Sequence, residues 1–325
     1  MQSIKPLTLI CVQPCTKYYA WQIEVMLNNF NELGIQNEFQ VHCLFAIPKE
    51  ENGRDEFVSY IKKVEAAYKG VANFYYYPDT REYPIHYISS VRPNILKQHF
   101  KTYPELSQTS IFYHDCDIIF SKFPDFLNNL LEQDNIWYVS DTISYIGYNY
   151  IISKGHDVLD KMCQIVGAHP FFIKDRESQS GGAQYLMKGV DWRYFEKVEH
   201  DCEKMFKEIT ALNNQKKLVN PTYHELQIWC ADMWAVSWNA WLRGYETRII
   251  PEMDFCWATD NVEKYEEKYI FHNAGVTDNV KDKIFYKSSF HNSLPYETEG
   301  NYDESRAGIK YWELIKKIGK NSCLC

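Results

Sequence analysis

Residues 110–126 read "SIFYHDCDIIFSKFPDF". Apolar residues run straight into Asp115-Cys116-Asp117 and straight out again. A strand buried on both faces has no use for two carboxylates one residue apart. The strand reading holds only if the strand ends there, at a site that needs them. The flanking chain supports that reading. "PLTLICV" (6–12), "FQVHCLFAI" (39–47), "VANFYYYP" (71–78), "SIFYHD" (110–115) and "NIWYVSD" (135–141) are strand-like. Between them lie helix patterns. "WQIEVMLNNFNELG" places Ile23, Met26, Leu27, Phe30 and Leu33 at helical spacing before the stop Gly34. "DEFVSYIKKVEAAYKG" is amphipathic to Gly70, "RPNILKQHF" starts a helix with Pro93 as its first residue, and "FPDFLNNLLEQ" is helical. This alternation predicts an α/β fold with a mostly parallel central sheet flanked by helices. In open α/β sheets ligands gather at the carboxyl ends of the strands, which is where Asp115 and Asp117 fall.

Farther on, "SGGAQYLMKGVD" (180–191) has the pair Gly181-Gly182 before a short helix-like segment. "YHELQIWCADMWAVSWNAWLRG" reads as one long aromatic-rich helix stopped by Gly244. "YETRIIPEMDFCWATD" returns to strand and loop, and "KYIFHNAGV" is a strand delivering His272 to a loop. No repeat, low-complexity tract or linker interrupts the 325 residues, so one continuous domain over 1–325 is expected.

Composition excludes several classes. Apolar residues make up 45%, enough for a real core. The net charge of −8 and the lack of a basic run argue against nucleic-acid binding. No apolar stretch approaches the roughly 20 residues of a transmembrane helix, and the N-terminus lacks a signal-peptide layout, so a cytoplasmic protein is expected. Aromatics reach 16%, and some of those rings must be partly exposed. Cys11, Cys43, Cys163 and Cys230 stand alone in apolar segments, as reduced buried thiols do. The Cys323-x-Cys325 tail is read as a frayed end with two thiols; lipidation is the alternative.

Asp115 and Asp117 offer two hard oxygen donors to one divalent cation, and manganese or magnesium favours them. Strand alternation places both carboxylates on one side and Cys116 on the other. Such a metal suits a diphosphate, because it neutralises charge building on a leaving group. "FHNAGV" adds His272 as a third ligand and Gly275, whose backbone can approach a phosphate. Two blander readings compete. One is a surface Asp pair capping a helix near Phe123. The other is an Asp-x-Asp phosphatase of the haloacid dehalogenase type. In that type the pair follows the first strand and is followed by Thr or Val, whereas here it follows the fourth strand and Ile119 holds the position.

With these stretches in one order, the sequence resembles glycosyltransferases of the GT-A fold. More narrowly it is similar to the hydroxyproline O-arabinosyltransferase and peptidyl-serine galactosyltransferase group. The likeness rests on Tyr18, Trp21 and Gln22 in "TKYYAWQIEVMLNNF", Arg92 and Pro93 in "SSVRPNILKQHF", and "YHDCDIIFSKFPDF". It extends through "SGGAQYLMKGVDW", Asp232-Met233-Trp234, "MDFCWATD" and "YIFHNAGV". The resemblance implies a GT-A, Rossmann-like single domain with a nucleotide-binding half at about 1–140, an acceptor-binding half at about 141–300, and a C-terminal helix and tail at 301–325. It implies a metal-dependent hexosyl- or pentosyltransferase that moves a sugar from a nucleotide diphosphate sugar, UDP-linked, to a hydroxyl on a glycan or protein. A non-catalytic carbohydrate-binding protein of the same fold is the alternative from another class.

The resemblance also implies roles. Asp115, Asp117 and His272 would hold Mn2+ or Mg2+. Tyr18 or Trp21 would stack on uracil, with Gln22 beside them and Arg92 on the diphosphate or ribose. Gln184 would hydrogen-bond the donor sugar, and Gly275 would let the backbone approach a phosphate. An inverting transferase needs a general base. Asp232, amid Trp229, Met233, Trp234 and Trp238, is the expected base, because a poorly solvated carboxylate is more basic. Glu225 is the reserve, seven residues earlier on the same helix side. Trp257, near Asp260, is the expected acceptor contact.

Overall fold

A computed structural model describes residues 6–48, 54–82, 85, 87–132 and 134–322. The strands are β1 (Leu7–Pro14), β2 (Gln40–Ile47), β3 (Asn73–Pro78), β4 (Ser110–His114), β5 (Ile118–Phe120), β6 (Ile136–Asp141), β7 (Gly181–Lys188), β8 (Glu246–Ile249), β9 (Phe255–Trp257) and β10 (Ile270–His272). The longer helices are α1 (Lys17–Leu33), α2 (Arg54–Ala67), α3 (Val91–Thr102), α4 (His156–Val166), α5 (Trp192–Val219), α6 (Ala231–Leu242) and α7 (Gly308–Ser322). A seven-stranded sheet runs in the order β3-β2-β1-β4-β7-β6-β8, and a three-stranded sheet in the order β5-β10-β9. The larger sheet is mostly parallel: β1 pairs β2, β2 pairs β3 and β6 pairs β8 in parallel, while β6 pairs β7 antiparallel. The expected α/β class is therefore observed.

The chain forms two compact units that interleave in sequence rather than dividing once. The first comprises residues 1–78, 113–132 and 252–325; the second comprises 79–112 and 133–251. In the first unit, β1 buries nearly every side chain, as its unbroken apolar run requires of a parallel strand covered on both faces. Helix α1 stops at Gly34, whose φ of 70° is left-handed and whose N–H donates to the carbonyls of Phe30 and Asn31. Asn29 on α1 makes a reciprocal pair with Phe120 on β5: Nδ2 donates to its carbonyl at 2.9 Å, and its N–H donates to Oδ1 at 2.9 Å. Helix α7 packs its Tyr311, Trp312, Ile315 and Ile318 into one cluster with Trp21, Phe271 and Phe285.

In the second unit, α5 begins at Asp191, whose carboxylate accepts the Tyr194 N–H at 2.9 Å. Two expected elements differ here. Gly181–Lys188 is a strand, not a helix-like segment, and it is buried along nearly its whole length. A Cβ on Gly181 would lie 2.2 Å from Val139 Cγ2, and one on Gly182 would lie 2.6 Å from the Tyr185 hydroxyl. The glycine pair thus serves close packing beside a register shift between Val139 and Ser140, with Ala183 at φ 66°. The long helix read over 223–244 is also shorter. It starts at Ala231 after a 3-10 turn at Ile228–Cys230. Upstream, the Gln227 N–H goes to the Tyr150 hydroxyl at 3.1 Å, and the Leu226 carbonyl accepts Asn213 Nδ2 at 3.2 Å. Side chains of other elements hold the backbone groups that a helix would have paired.

Smaller shifts follow the same logic. Helix α3 starts at Val91, so Pro93 sits inside its first turn, where its missing N–H costs nothing. The Asp125–Leu130 segment is a 3-10 helix. The eight described cysteines are buried and none is in a disulfide; Cys323 and Cys325 lie outside the described residues. No described helix is long and apolar enough to cross a membrane.

Removing the Asn29 carboxamide leaves backbone groups of buried Phe120 without their partner. Asn29→Ala should lower unfolding free energy by about 2–3 kcal/mol, read from urea melts. A pH effect is expected from His42 on β2. Burial lowers its pKa from 6.5 to about 4. A depressed folded pKa means the contribution is complete above pH 6.5 and drains as pH falls through about 4. Stability of the native chain should therefore drop more steeply across that window than stability of His42→Gln, measured by urea unfolding at a series of pH values.

Candidate metal centre

The carboxyl end of β4 delivers Asp115, and a turn at Cys116-Asp117 leads directly into β5. The three residues do not continue a strand, so the turn, not alternation along a strand, sets the two carboxylates. Strand β5 pairs antiparallel with β10, which sets His272 opposite Ile118. The Asn273 N–H donates to the Asp117 carbonyl at 3.0 Å and closes that pairing. A histidine far along the chain is thereby fixed beside the aspartates.

The ligand atoms of Asp115, Asp117 and His272 lie within 4.8 Å of one another. His272 Nε2 is 3.3 Å from Asp117 Oδ1 and 3.6 Å from Asp115 Oδ2. Asp117 and His272 are buried, while Asp115 retains 30% of its side-chain exposure and opens the cluster to solvent. Two carboxylate oxygens and an imidazole nitrogen form a donor set that suits Mn2+ or Mg2+. The buried Asn273 Nδ2 next to His272 has no hydrogen-bond partner among the described residues, so the wall also holds a spare donor. The residues therefore fit a divalent cation.

A residue not foreseen from the sequence completes the electrostatics. Lys287, on a 3-10 turn at Lys287–Phe290, places its ammonium on Asp117 Oδ2. Burial works against ionising Asp117, but Lys287 and then His272 more than offset it and hold the carboxyl far below the usual carboxylate range. The same pairing overrides the effect of burial on Lys287 and raises its pKa above the ordinary value, led by Asp117. No spacing rule marks a lone lysine in an aromatic loop, so sequence reasoning had no signal for it.

Around this cluster the other expected residues of the first unit fall as follows. Tyr18 stacks on His291 with centroids 4.2 Å apart and planes at 22°. Trp21 is fully buried and donates Nε1–H to the Phe290 carbonyl at 3.3 Å, so its ring presents no face to a ligand. Gln22 is also buried, and its Nε2 donates to the Tyr18 carbonyl at 2.7 Å. Both hold α1 in place. Gly275 takes φ 83°, and a Cβ there would come 3.2 Å from Trp257 Cε3. Trp257 lies nearly parallel to His272 at 6.0 Å. Asp260 accepts the Trp257 N–H at 2.8 Å and pairs with Lys264 at 2.9 Å.

In the second unit, Asp232 stands in the first turn of α6 and is buried. Its environment is not the bare apolar pocket expected from the tryptophans. Oδ1 accepts the Tyr87 hydroxyl at 2.5 Å, and Oδ2 lies 3.3 Å from Arg92 Nη2. Arg92 thus meets a protein carboxylate. Glu225 is not on the helix with Asp232. It is exposed and pairs with Lys217 at 2.7 Å, because the helix begins six residues after it. Gln184 is fully buried, and its Oε1 accepts the Ser140 hydroxyl at 2.7 Å. Trp234 and Trp238 are core residues, whereas Trp229 is 57% exposed.

No protein-family model matches the chain, and no curated protein matches it. Solved structures with a similar course of the chain are glycosyltransferases. The galactosyltransferase LgtC, in complex with donor and acceptor sugar analogues, is 13% identical with a TM-score of 0.43, over 95% of each chain. Mouse xyloside xylosyltransferase 1 is 7% identical with a TM-score of 0.40, over 82% of this chain and 96% of its own. A glycosyltransferase involved in glycosylation of the major capsid of PBCV-1 is 12% identical with a TM-score of 0.37, over 83% and 94%. At those scores and identities the likeness bears on neither activity nor ligand.

The centre predicts opposite signs for neighbouring substitutions. Manganese should raise the melting temperature of the native chain. Asp115→Asn, Asp117→Asn or His272→Ala should each abolish that rise. Lys287→Met removes a competing cation and should tighten manganese binding by roughly tenfold. Thermal shift and calorimetric titration, both without nucleotide, check these outcomes.

Proposed function

We propose that the protein is a metal-dependent glycosyltransferase of GT-A type, which moves a hexose or pentose from a UDP-linked sugar to a hydroxyl on a glycan or protein. One observation carries the reading: Asp115, Asp117 and His272 converge at the carboxyl end of a strand of a mostly parallel sheet. The narrower likeness to the hydroxyproline O-arabinosyltransferase group rests on the sequence stretches alone.

Mn2+ or Mg2+ held by those three side chains would supply charge neutralisation at the oxygens of a diphosphate. The chain's own contributions follow from the geometry. Asp115, the more exposed carboxylate, faces the incoming ligand. Asp117 is fixed from behind by Lys287 and by the Asn273 backbone. Lys287 keeps its charge, so it can turn from Asp117 toward a phosphate and stabilise the departing nucleotide. Tyr18, stacked on His291, is the residue proposed to cover the base. Gly275, at φ 83°, is proposed to let the backbone of the loop after β10 approach a phosphate.

Asp232 is proposed as the general base of an inverting reaction, accepting the proton of the acceptor hydroxyl. The Tyr87 hydroxyl and Arg92 fix its orientation from the other side. Glu225, exposed and paired with Lys217, is the reserve. Gln184 is proposed to act through Ser140 on the strand that carries both glycines.

A panel of nucleotide sugars tests the reading. Native protein should hydrolyse at least one UDP-sugar slowly in the presence of manganese. Asp115→Asn and Asp117→Asn should each lower that rate by about 100-fold or more. Release of phosphate from simple phosphomonoesters without UDP would instead make it a phosphatase. If no nucleotide sugar is turned over and UDP with manganese gives no thermal shift, the transferase reading is lost.

A further inference from the structure

Among the tryptophans of the second unit, one is out of place. Trp234, Trp238 and Trp241 are at most 2% exposed, and Trp234 and Trp241 satisfy their indole N–H groups internally at 2.8 Å to the Ile146 carbonyl and 2.9 Å to the Thr247 hydroxyl. Trp229, on the turn just before α6, is 57% exposed. Leaving so large an apolar ring more than half in water forgoes much of the stabilisation its burial would give. The Trp229 ring has an aromatic neighbour, Tyr145, nearly parallel to it with centroids 6.3 Å apart and planes at 22°. The Trp229 backbone has a contact as well: its carbonyl lies 2.5 Å from the Tyr87 hydroxyl, whose one proton it shares with Asp232 Oδ1.

That same hydroxyl reaches Asp232 Oδ1, and Asp232 Oδ2 lies against Arg92, whose side chain keeps 26% of its exposure. One tyrosine therefore ties a flat exposed indole to a carboxylate–guanidinium pair. The two parts match one ligand chemistry. A pyranose has an apolar C–H face that lies on an aromatic ring, and hydroxyls on its edge that both accept and donate. Arg92 donates, Asp232 accepts. A protein partner would need about 800 Å² of surface per side, which a single indole does not provide.

We infer that Trp229, backed by Tyr145, is a stacking platform for a pyranose ring whose hydroxyls are held by Arg92 and Asp232. Resting on the proposed transferase reading, this platform is the acceptor subsite, and the acceptor class is a saccharide rather than a bare peptide hydroxyl. The site needs neither metal nor nucleotide, so it can be examined without them.

The experiment uses the full chain and a panel of neutral disaccharides: cellobiose, lactose, maltose and xylobiose. Binding is read by quenching or shift of tryptophan fluorescence and by saturation-transfer NMR, without metal or nucleotide. At least one disaccharide should bind saturably. Trp229→Ala should weaken it by at least tenfold, while Trp229→Phe retains most of the affinity. Circular dichroism and melting temperature should be unchanged in Trp229→Ala, because the ring is exposed. Manganese-dependent UDP-sugar hydrolysis should also survive in that variant, with transfer to the saccharide lost. No saturable disaccharide binding, or equal binding by native protein and Trp229→Ala, overturns the platform. Absence of UDP-sugar hydrolysis in the native protein, with Trp229-dependent binding intact, would overturn the transferase reading alone.

Discussion

The antiparallel pairing of β5 with β10 is the constraint on which the metal centre depends. Three residue pairs, Ile118 with His272, Ile119 with Phe271 and Phe120 with Ile270, join segments far apart in the chain. Asn29 holds the outer end of that pairing through both backbone groups of Phe120, and the Asn273 N–H closes the inner end on Asp117. Such short strands gain little from their own ladder. Their burial, with Ile119 and Phe271 in one apolar cluster, supplies what the ladder lacks. The site is thus a by-product of core formation: once Phe271 is buried, His272 has no other place to go.

Electrostatics then decide the state of that site. Two carboxylates this close would repel, and burying Asp117 would drive it toward its neutral form. Lys287 and His272 reverse the outcome, and Asp117 remains charged at neutral pH. A buried ion pair of this kind adds little net stability, since desolvation offsets most of the attraction. Its value is to keep a hard anionic donor ready, held by a lysine that has reason to leave when another cation arrives.

What the sequence made legible follows from how local each signal is. Runs such as LTLICV report burial on both faces, and they placed β1, β2 and β4 within a residue or two. Asp115, Asp117 and His272 could be grouped because residue type and strand-end position both point to one chemistry. Signals that depend on tertiary partners misled. The glycines at 181 and 182 look like a ligand loop, but they answer to Val139, Tyr185 and Met233. Gln184, Trp21 and Gln22 each make an internal hydrogen bond that no spacing in the sequence announces. The aromatic run after residue 223 has helical composition, yet Tyr150 and Asn213 take its backbone groups first. Lys287 could not be found, because nothing in a sequence says where a lysine on a long loop will land.

Exposure, rather than residue type, separates structural aromatics from candidate binding surfaces here. The chain has nine tryptophans, and composition alone cannot rank them. Trp21 and Trp234 are wholly enclosed with their N–H groups bonded, which is the signature of packing. Trp257 is intermediate and lies nearly parallel to His272, with centroids 6.0 Å apart. Trp229 alone combines wide exposure, a stacked neighbour and an anchored backbone. The Tyr87 hydroxyl oxygen lies 2.5 Å from both the Trp229 carbonyl and Asp232 Oδ1, so its single proton is shared between two acceptors. The hydroxyl that meets the proposed base therefore also meets the backbone of the proposed platform.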